Sequence, residues 1–348
     1  MNITIIKKIP TAEEIIQLYP LSEAGHKQII KDRQEVRDIL AGRDNRLLLI
    51  IGPCSAWPSE AALEYAVRLK KMADEVKDKI KIIMRVYIQK PRTTRGWTGP
   101  VNQPDPFAPP DISKGIKYCR SLMVKIVELG LPIADEALFT HNSKGFVELL
   151  SWVAIGARSV EDQEHRIFAS ALGCSVGMKN STAGPMEIAV NGIVAAQFQH
   201  QAVFFGYQVE TNGNPYAHLV LRGTMSGQNY GAEYLYEAAA LFEKNKIQNP
   251  AIIVDASHDN CRVNGVKDCT LQPMVVKEVL ATMSVNPELK KLVKGFMVES
   301  FLKTGNQKVE ATTTEAIDRG GLSITDQCLG WNETEKLIYD MIKLYSNL

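Results

Sequence analysis

Arg46-Leu-Leu-Leu-Ile-Ile-Gly52-Pro53-Cys54-Ser55 is a near-continuous apolar run that stops at turn residues. A strand with one wet face alternates apolar and polar side chains, whereas one covered on both faces reads as an unbroken hydrophobic run. The stretch therefore predicts a buried strand of a parallel sheet. Ser59 to about Val76 follows, with Ser59 as N-cap and alanines along one face, which predicts a helix. One strand–helix unit is thus defined.

The unit recurs along the chain. Apolar strands are expected over Lys81–Ile88, Leu131–Ala137, Val153–Ala157, Ser175–Met178, Ala251–Val254 and Gly295–Val298, each followed by a helical pattern. Ala202–Tyr207 reads as a further strand, and Asn212-Gly213-Asn214-Pro215 as a hairpin turn returning through Ala217–Leu221. About eight such units in roughly 300 residues, with no linker between them, predict a (β/α)8 TIM barrel. The expected organisation is an N-terminal extension over 1–45, holding an edge strand (Ile3–Ile9) and a helix (Ser22–Leu40), then a catalytic barrel over 46–348. A short hairpin is placed after strand 6. A doubly wound open sheet is the alternative, but no GxGxxG follows the first strand.

Composition narrows the function. Forty basic against thirty-nine acidic residues leave a formal net charge of +1, which argues against general nucleic-acid affinity. Six scattered cysteines without a CxxC pair point to free thiols in a reducing compartment. Neither a signal-peptide pattern nor a membrane-length apolar run stands out, so a cytoplasmic protein is expected.

In a barrel, residues at the C-terminal strand ends share one mouth whatever their sequence separation. Here those positions carry Cys54, Arg85 with Lys90 and Arg92 just beyond, Glu136, Arg158, Lys179, Arg222, Asp255 with His258, and Glu299, with Asp326 following. They divide into two chemistries. Cys54, His258, Glu299 and Asp326 offer a thiolate, an imidazole and two carboxylates, a set suited to a divalent Mn, Fe, Co or Zn rather than Mg or Ca. Singly, each has an ordinary reading, a small core cysteine or a hydrogen-bonded loop histidine.

Arg85, Lys90, Arg92, Arg158, Lys179 and Arg222 form the second group, and Thr93 adds a hydroxyl to the Lys90-Pro91-Arg92 turn. So many cations in one mouth repel one another unless anions join them. Arg offers a planar fork and Lys a point charge to phosphate oxygens, which suggests a doubly anionic substrate or two phosphorylated ones. For any single Arg the alternative is an ion pair with a neighbouring carboxylate. Lys179 at a strand end also fits the amine of a Schiff-base aldolase.

Gly52-Pro-Cys-Ser55, Lys90-Pro-Arg-Thr93, Ser151-Trp-Val-Ala-Ile-Gly-Ala-Arg158, Gly177-Met-Lys-Asn180, Leu221-Arg-Gly223, Asp255-Ala-Ser-His258, Met297-Val-Glu-Ser300 and Ser323-Ile-Thr-Asp326 together resemble the class I 3-deoxy-7-phosphoheptulonate (DAHP) synthases of the enterobacterial type. The related octulosonate-phosphate synthases resemble the chain less. The resemblance implies a metal-dependent condensation of phosphoenolpyruvate with erythrose 4-phosphate, the entry to the shikimate pathway, in a homodimer or homotetramer. It implies Cys54, His258, Glu299 and Asp326 as metal ligands. Arg85, Arg158, Lys179 and Arg222 would then receive phosphoenolpyruvate, Arg92 and Thr93 the aldose phosphate, with Lys90 beside the reacting carbonyl and Glu136 near the attacking water.

The chain departs from the family at Ala256 and Asp259, at Ser181-Thr-Ala-Gly184, and at Thr224-Met225-Ser226. A variant aldose or aminosugar phosphate therefore stays open as acceptor. The extension, Phe139–Lys144 and the hairpin also differ, which implies weak or absent feedback by aromatic amino acids.

Overall fold

The computed structural model describes residues 1–92, 95–138, 144–183 and 185–346. Eight parallel strands close into a barrel: Leu47–Gly52, Ile80–Arg85, Ile133–Ala137, Leu150–Ile155, Ser175–Lys179, Ala217–Leu221, Ile252–Asp255 and Val293–Glu299. They neighbour one another in chain order, and the first pairs with the eighth, Gly52 opposite Glu299. Helices between successive strands cover the outside.

The opening apolar run is explained by two cores. Leu48 and Ile50 point into the barrel with Ile83, Ala134, Trp152, Val220, Ile253 and Met297. Leu47, Leu49 and Ile51 face outward and pack with helical residues such as Tyr65, Leu69 and Leu337. The period of two is present, but both faces are dry, so the sequence shows no polar alternation. Closure depends on Gly295, whose φ is +158° and where a Cβ would lie 1.9 Å from the carbonyl oxygen of Leu48. No side chain fits there.

The extension differs from expectation at its start. Residues 1–10 carry no strand, so the Ile3–Ile9 edge strand is not formed. Instead Thr11 and Glu14 make a reciprocal capping box that starts the helix Ala12–Leu18. Ser22 caps the next helix, Glu23–Leu40, through the N–H of Gly25. Its Val36, Ile39 and Leu40 enter the interior cluster of the barrel and fill its lower end.

The hairpin is also displaced from its expected position. It pairs Gln201–Phe204 with Tyr207–Glu210 and precedes the sixth barrel strand rather than following it. Phe205 and Gly206 both take positive φ, +53° and +84°, as a two-residue hairpin turn requires. Asn214, expected in the turn, is buried and donates from Nδ2 to the carbonyls of Ala169, Leu172 and Cys174. The helical pattern expected between the third and fourth strands is a single turn, Val147–Leu149, because the fourth strand already starts at Leu150. A second small hairpin, Arg262–Val263 with Val266–Lys267, follows the seventh strand and turns at Asn264-Gly265. Among the described residues no helix is long and apolar enough to cross a membrane.

Candidate active site

The first strand ends at Gly52, where φ is +154° and a Cβ would lie 2.8 Å from the carbonyl oxygen of Arg85. This close approach sets Cys54 beside the end of the second strand. The Cys54 thiol is buried, and burial pushes its pKa up, with Glu299 adding to the rise and Lys90 opposing it. Lys90 Nζ donates to Cys54 O at 2.7 Å and contacts Cys54 Sγ at 3.1 Å.

Arg85 is fully buried. Its Nη2 donates to Glu299 Oε1 at 2.9 Å, and its guanidinium lies 4.0 Å over the Tyr87 ring. Arg85 Nε and Nη1 and the Tyr87 hydroxyl are buried without hydrogen-bond partners. Such groups are costly to leave unmade and mark a place where a polar ligand fits. Sequence reasoning missed Tyr87, although it follows Arg85 by two, the spacing at which an extended chain returns to the same side.

Cys54, Glu299 and Asp326 bring one donor atom each to within 4.8 Å of one another. The Asp326 N–H also points at Cys54 Sγ, 3.4 Å away. His258 stands next to this trio, with Nε2 3.8 Å from Glu299 Oε1 and Nδ1 2.9 Å from Asp255 Oδ2. Its φ of +57° is a backbone strain of the kind that clusters at functional sites. Burial lowers its pKa, which favours the neutral imidazole that metals take. Each acidic donor has its own cation: Lys90 at Cys54, Arg85 at Glu299, and Lys267 Nζ 3.0 Å from Asp326 Oδ2. Sulfur, imidazole and carboxylate donors of this mixture fit a divalent transition metal.

The remaining strand ends complete the mouth. Glu136 is buried, in space that Gly156 leaves open, since a Cβ on Gly156 would lie 2.2 Å from Glu136 Oε1. Asp135 faces away from it and accepts the N–H of Ile88 at 3.2 Å; burial pushes its pKa up to about 8. Lys179 Nζ is 3.3 Å from Asp255 Oδ2. Despite burial, His258 and Lys179 hold the Asp255 carboxyl well below the usual range. Arg222 is buried against Asp259. Arg158 and Arg92 are exposed at the rim, where Arg92 Nε donates to Trp97 O at 2.7 Å. Thr93 lies outside the described residues.

Three buried asparagines join the strand ends; the sequence reading quoted Asn180 in a motif without a role and did not name Asn229 or Asn260. Asn180 Oδ1 accepts from Arg222 N at 2.9 Å and Asn229 Nδ2 at 3.1 Å, while Asn260 Nδ2 donates to Leu221 O and Asp255 O.

Fold and site together define a (β/α)8 barrel enzyme with a cation-lined mouth beside a Cys/Glu/Asp cluster. The chain belongs to the DAHP synthetase I family, which matches residues 22–338. The Tyr-sensitive phospho-2-dehydro-3-deoxyheptonate aldolase of Salmonella typhimurium is 38% identical over 348 residues, covering 99% of this chain and 95% of that one. The Trp-sensitive enzyme of Escherichia coli is 36% identical over 339 residues, covering 96% and 94%. A phospho-2-dehydro-3-deoxyheptonate aldolase structure from Francisella tularensis superposes with a TM-score of 0.92 at 35% identity, covering 99% of both chains.

Proposed function

We propose that this chain condenses phosphoenolpyruvate with erythrose 4-phosphate and water, giving 3-deoxy-D-arabino-heptulosonate 7-phosphate and inorganic phosphate at the first step of aromatic amino acid biosynthesis. The observation that carries the reading is Arg85, buried in the mouth with two donor nitrogens unused. An anionic ligand satisfies both. Arg85, Lys179, Arg158 and Arg222 take the phosphate and carboxylate of phosphoenolpyruvate; Arg92 and Thr93 take the aldose phosphate. Their main contribution is to hold two anions in reacting geometry.

Cys54, His258, Glu299 and Asp326 would hold the metal, one of Mn, Fe, Co or Zn. When bound, it supplies Lewis-acid polarisation of the aldehyde. Carbon 3 of the enol phosphate forms the new bond to the aldehyde carbon, and Lys90 Nζ gives a proton to the oxygen that becomes the alkoxide. It carries the proton to give: burial would lower its pKa, but Cys54, Glu299 and Glu136 raise it above the ordinary lysine value, so the ammonium form is held in the mouth. Water adds at carbon 2, with Glu136 taking one proton; the carbon–oxygen bond to phosphate then breaks as the new hydroxyl becomes the carbon 2 carbonyl, its proton leaving with the phosphate.

The Schiff-base reading has less support, because Lys179 Nζ is already engaged by Asp255 Oδ2 at 3.3 Å, where an imine carbon would have to form. The test is phosphate release from phosphoenolpyruvate with a panel of aldose and aminosugar phosphates, with and without Mn. Loss of activity with EDTA and no borohydride trapping is the expected result. Trapping on Lys179, or no release with any acceptor, overturns the reading. We further propose a cytoplasmic homodimer or homotetramer built from a 46–348 catalytic barrel and a 1–45 extension. Exposed Ile3, Ile5 and Ile6 support the extension as a subunit contact.

A further inference from the structure

Arg222 does not face the mouth as a free cation. Its Nη1 donates to Asp259 Oδ2, and both side chains are buried. The backbone fixes this pair, since Asp259 N donates to Arg222 O at 3.1 Å. Gly223 lets the two segments approach: a Cβ there would lie 2.6 Å from Asn260 N and from the carbonyl carbon of Asp259.

The other oxygen of Asp259 is shared with a second arginine. Arg262 donates to Asp259 Oδ1 from Nε at 2.8 Å and approaches the same oxygen with Nη2 at 2.6 Å. Arg262 is itself held, because Nη1 donates to Gly265 O at 2.7 Å within the small hairpin. Directly across that hairpin from Arg262 stands Lys267, whose own carboxylate is Asp326. Like charges directly opposite destabilise a strand pair. Here each cation is neutralised by a carboxylate from a different part of the mouth, so the hairpin is fixed at both strands.

A carboxylate oxygen bound to Arg222 occupies donors that a phosphate oxygen would need. Asp259 therefore competes with any anion for Arg222, and Arg262 divides the attention of Asp259 between two guanidinium groups. The three side chains together carry one net positive charge; without Arg262 they would carry none.

We propose that Asp259 and Arg262 are specificity-determining residues that set how tightly Arg222 holds a phosphate group, Asp259 as an internal anion that substrate displaces and Arg262 as the cation that limits its grip. The proposal rests on the reading that Arg222 receives the phosphate of phosphoenolpyruvate. The same device favours release of inorganic phosphate, because the carboxylate returns to Arg222 as the product leaves.

The experiment uses the full chain and two substitutions, Asp259→Asn and Arg262→Gln, singly and together, with thermal melting to confirm folding. In Asp259→Asn the KM for phosphoenolpyruvate falls and inhibition by inorganic phosphate tightens, each on the order of tenfold, while kcat falls because release slows. In Arg262→Gln the KM rises by a similar factor, and in the double variant that rise disappears. An unchanged or raised KM in Asp259→Asn, or an Arg262→Gln effect of equal size in both backgrounds, overturns the proposal. Should Asp259→Asn not fold, Arg262→Gln alone decides, since its side chain is partly exposed and a KM that does not rise is fatal. Calorimetric titration with inorganic phosphate separates the two readings. A wild type without turnover removes the proposed function, while tighter phosphate binding in Asp259→Asn still supports the internal anion and unchanged binding refutes it.

Discussion

Lys90 spans Cys54 from two sides, with Nζ 2.7 Å from its carbonyl oxygen and 3.1 Å from its sulfur. An ammonium at that distance offsets the burial that keeps the thiol protonated. The lysine thus serves the sulfur as well as any substrate. Lys90→Met is expected to lower Mn affinity about 10–100-fold, as other losses beside metal ligands do, in addition to lowering kcat. Calorimetric titration of metal-free protein measures the first effect, and an unchanged affinity would leave Lys90 with the substrate role alone.

Arg85 and Glu299 are paired in full burial. Arg85→Met strands the carboxylate, which costs about 3–5 kcal/mol. Mn added to the variant restores part of that loss, because Glu299 regains a cation, and the KM for phosphoenolpyruvate rises on the order of a hundredfold. Chemical denaturation with and without Mn, beside steady-state kinetics, gives both numbers.

Gly156→Ala pushes Glu136 from its place, since the new methyl would sit 2.2 Å from Oε1. We expect kcat to fall by about 10²–10⁴-fold, the scale of a lost acid–base group. KM should change little. A variant with normal kcat would remove Glu136 from the water-addition step.

His218 is buried in the barrel, accepting the Trp152 indole N–H at Nε2 (3.1 Å) and placing Nδ1 2.9 Å from Tyr216 O. Both nitrogens are thus used by the neutral ring, and a proton on Nε2 would face another donor. Burial pushes its pKa down from 6.5 to about 4. The unfolded chain therefore binds this proton first. The contribution to stability is complete above pH 6.5 and is lost as pH falls towards 4, amounting to about 3 kcal/mol. Melting curves between pH 4 and 7 for wild type and His218→Gln isolate it, because their difference cancels groups such as Asp135 that titrate in the opposite sense.

Two of the relatives are named for sensitivity to tyrosine and tryptophan. For this chain we propose weak or absent feedback, from the departures in its extension and hairpin. Assays with millimolar phenylalanine, tyrosine and tryptophan decide, and strong inhibition by any one refutes it.

Leu47–Ile51 and its counterparts made the barrel legible, because a strand dry on both faces is apolar throughout and stops where the mouth begins. Charged residues after such stops placed Cys54, Arg85, Lys179, Arg222 and Glu299 at the strand ends. Local turn chemistry was less legible. Asn212-Gly213 resembles a hairpin turn, yet Asn214 is used to tie three carbonyls, while Asn264-Gly265 makes the turn that went unread. Pairings between distant segments were not legible at all: Lys267 meets Asp326 across 59 residues, and Asp259 meets Arg222 across 37. Periodicity carries no information about such partners.

Val36, Ile39 and Leu40 fill the lower end of the barrel. A small molecule that reaches Arg85 has therefore come in past the rim where Arg92 lies, and leaves the same way. Two substrates share one doorway of unequal depth. The inner one must arrive first, and an acceptor that settles early bars its entry, so the kinetics should be ordered and an excess of acceptor inhibitory.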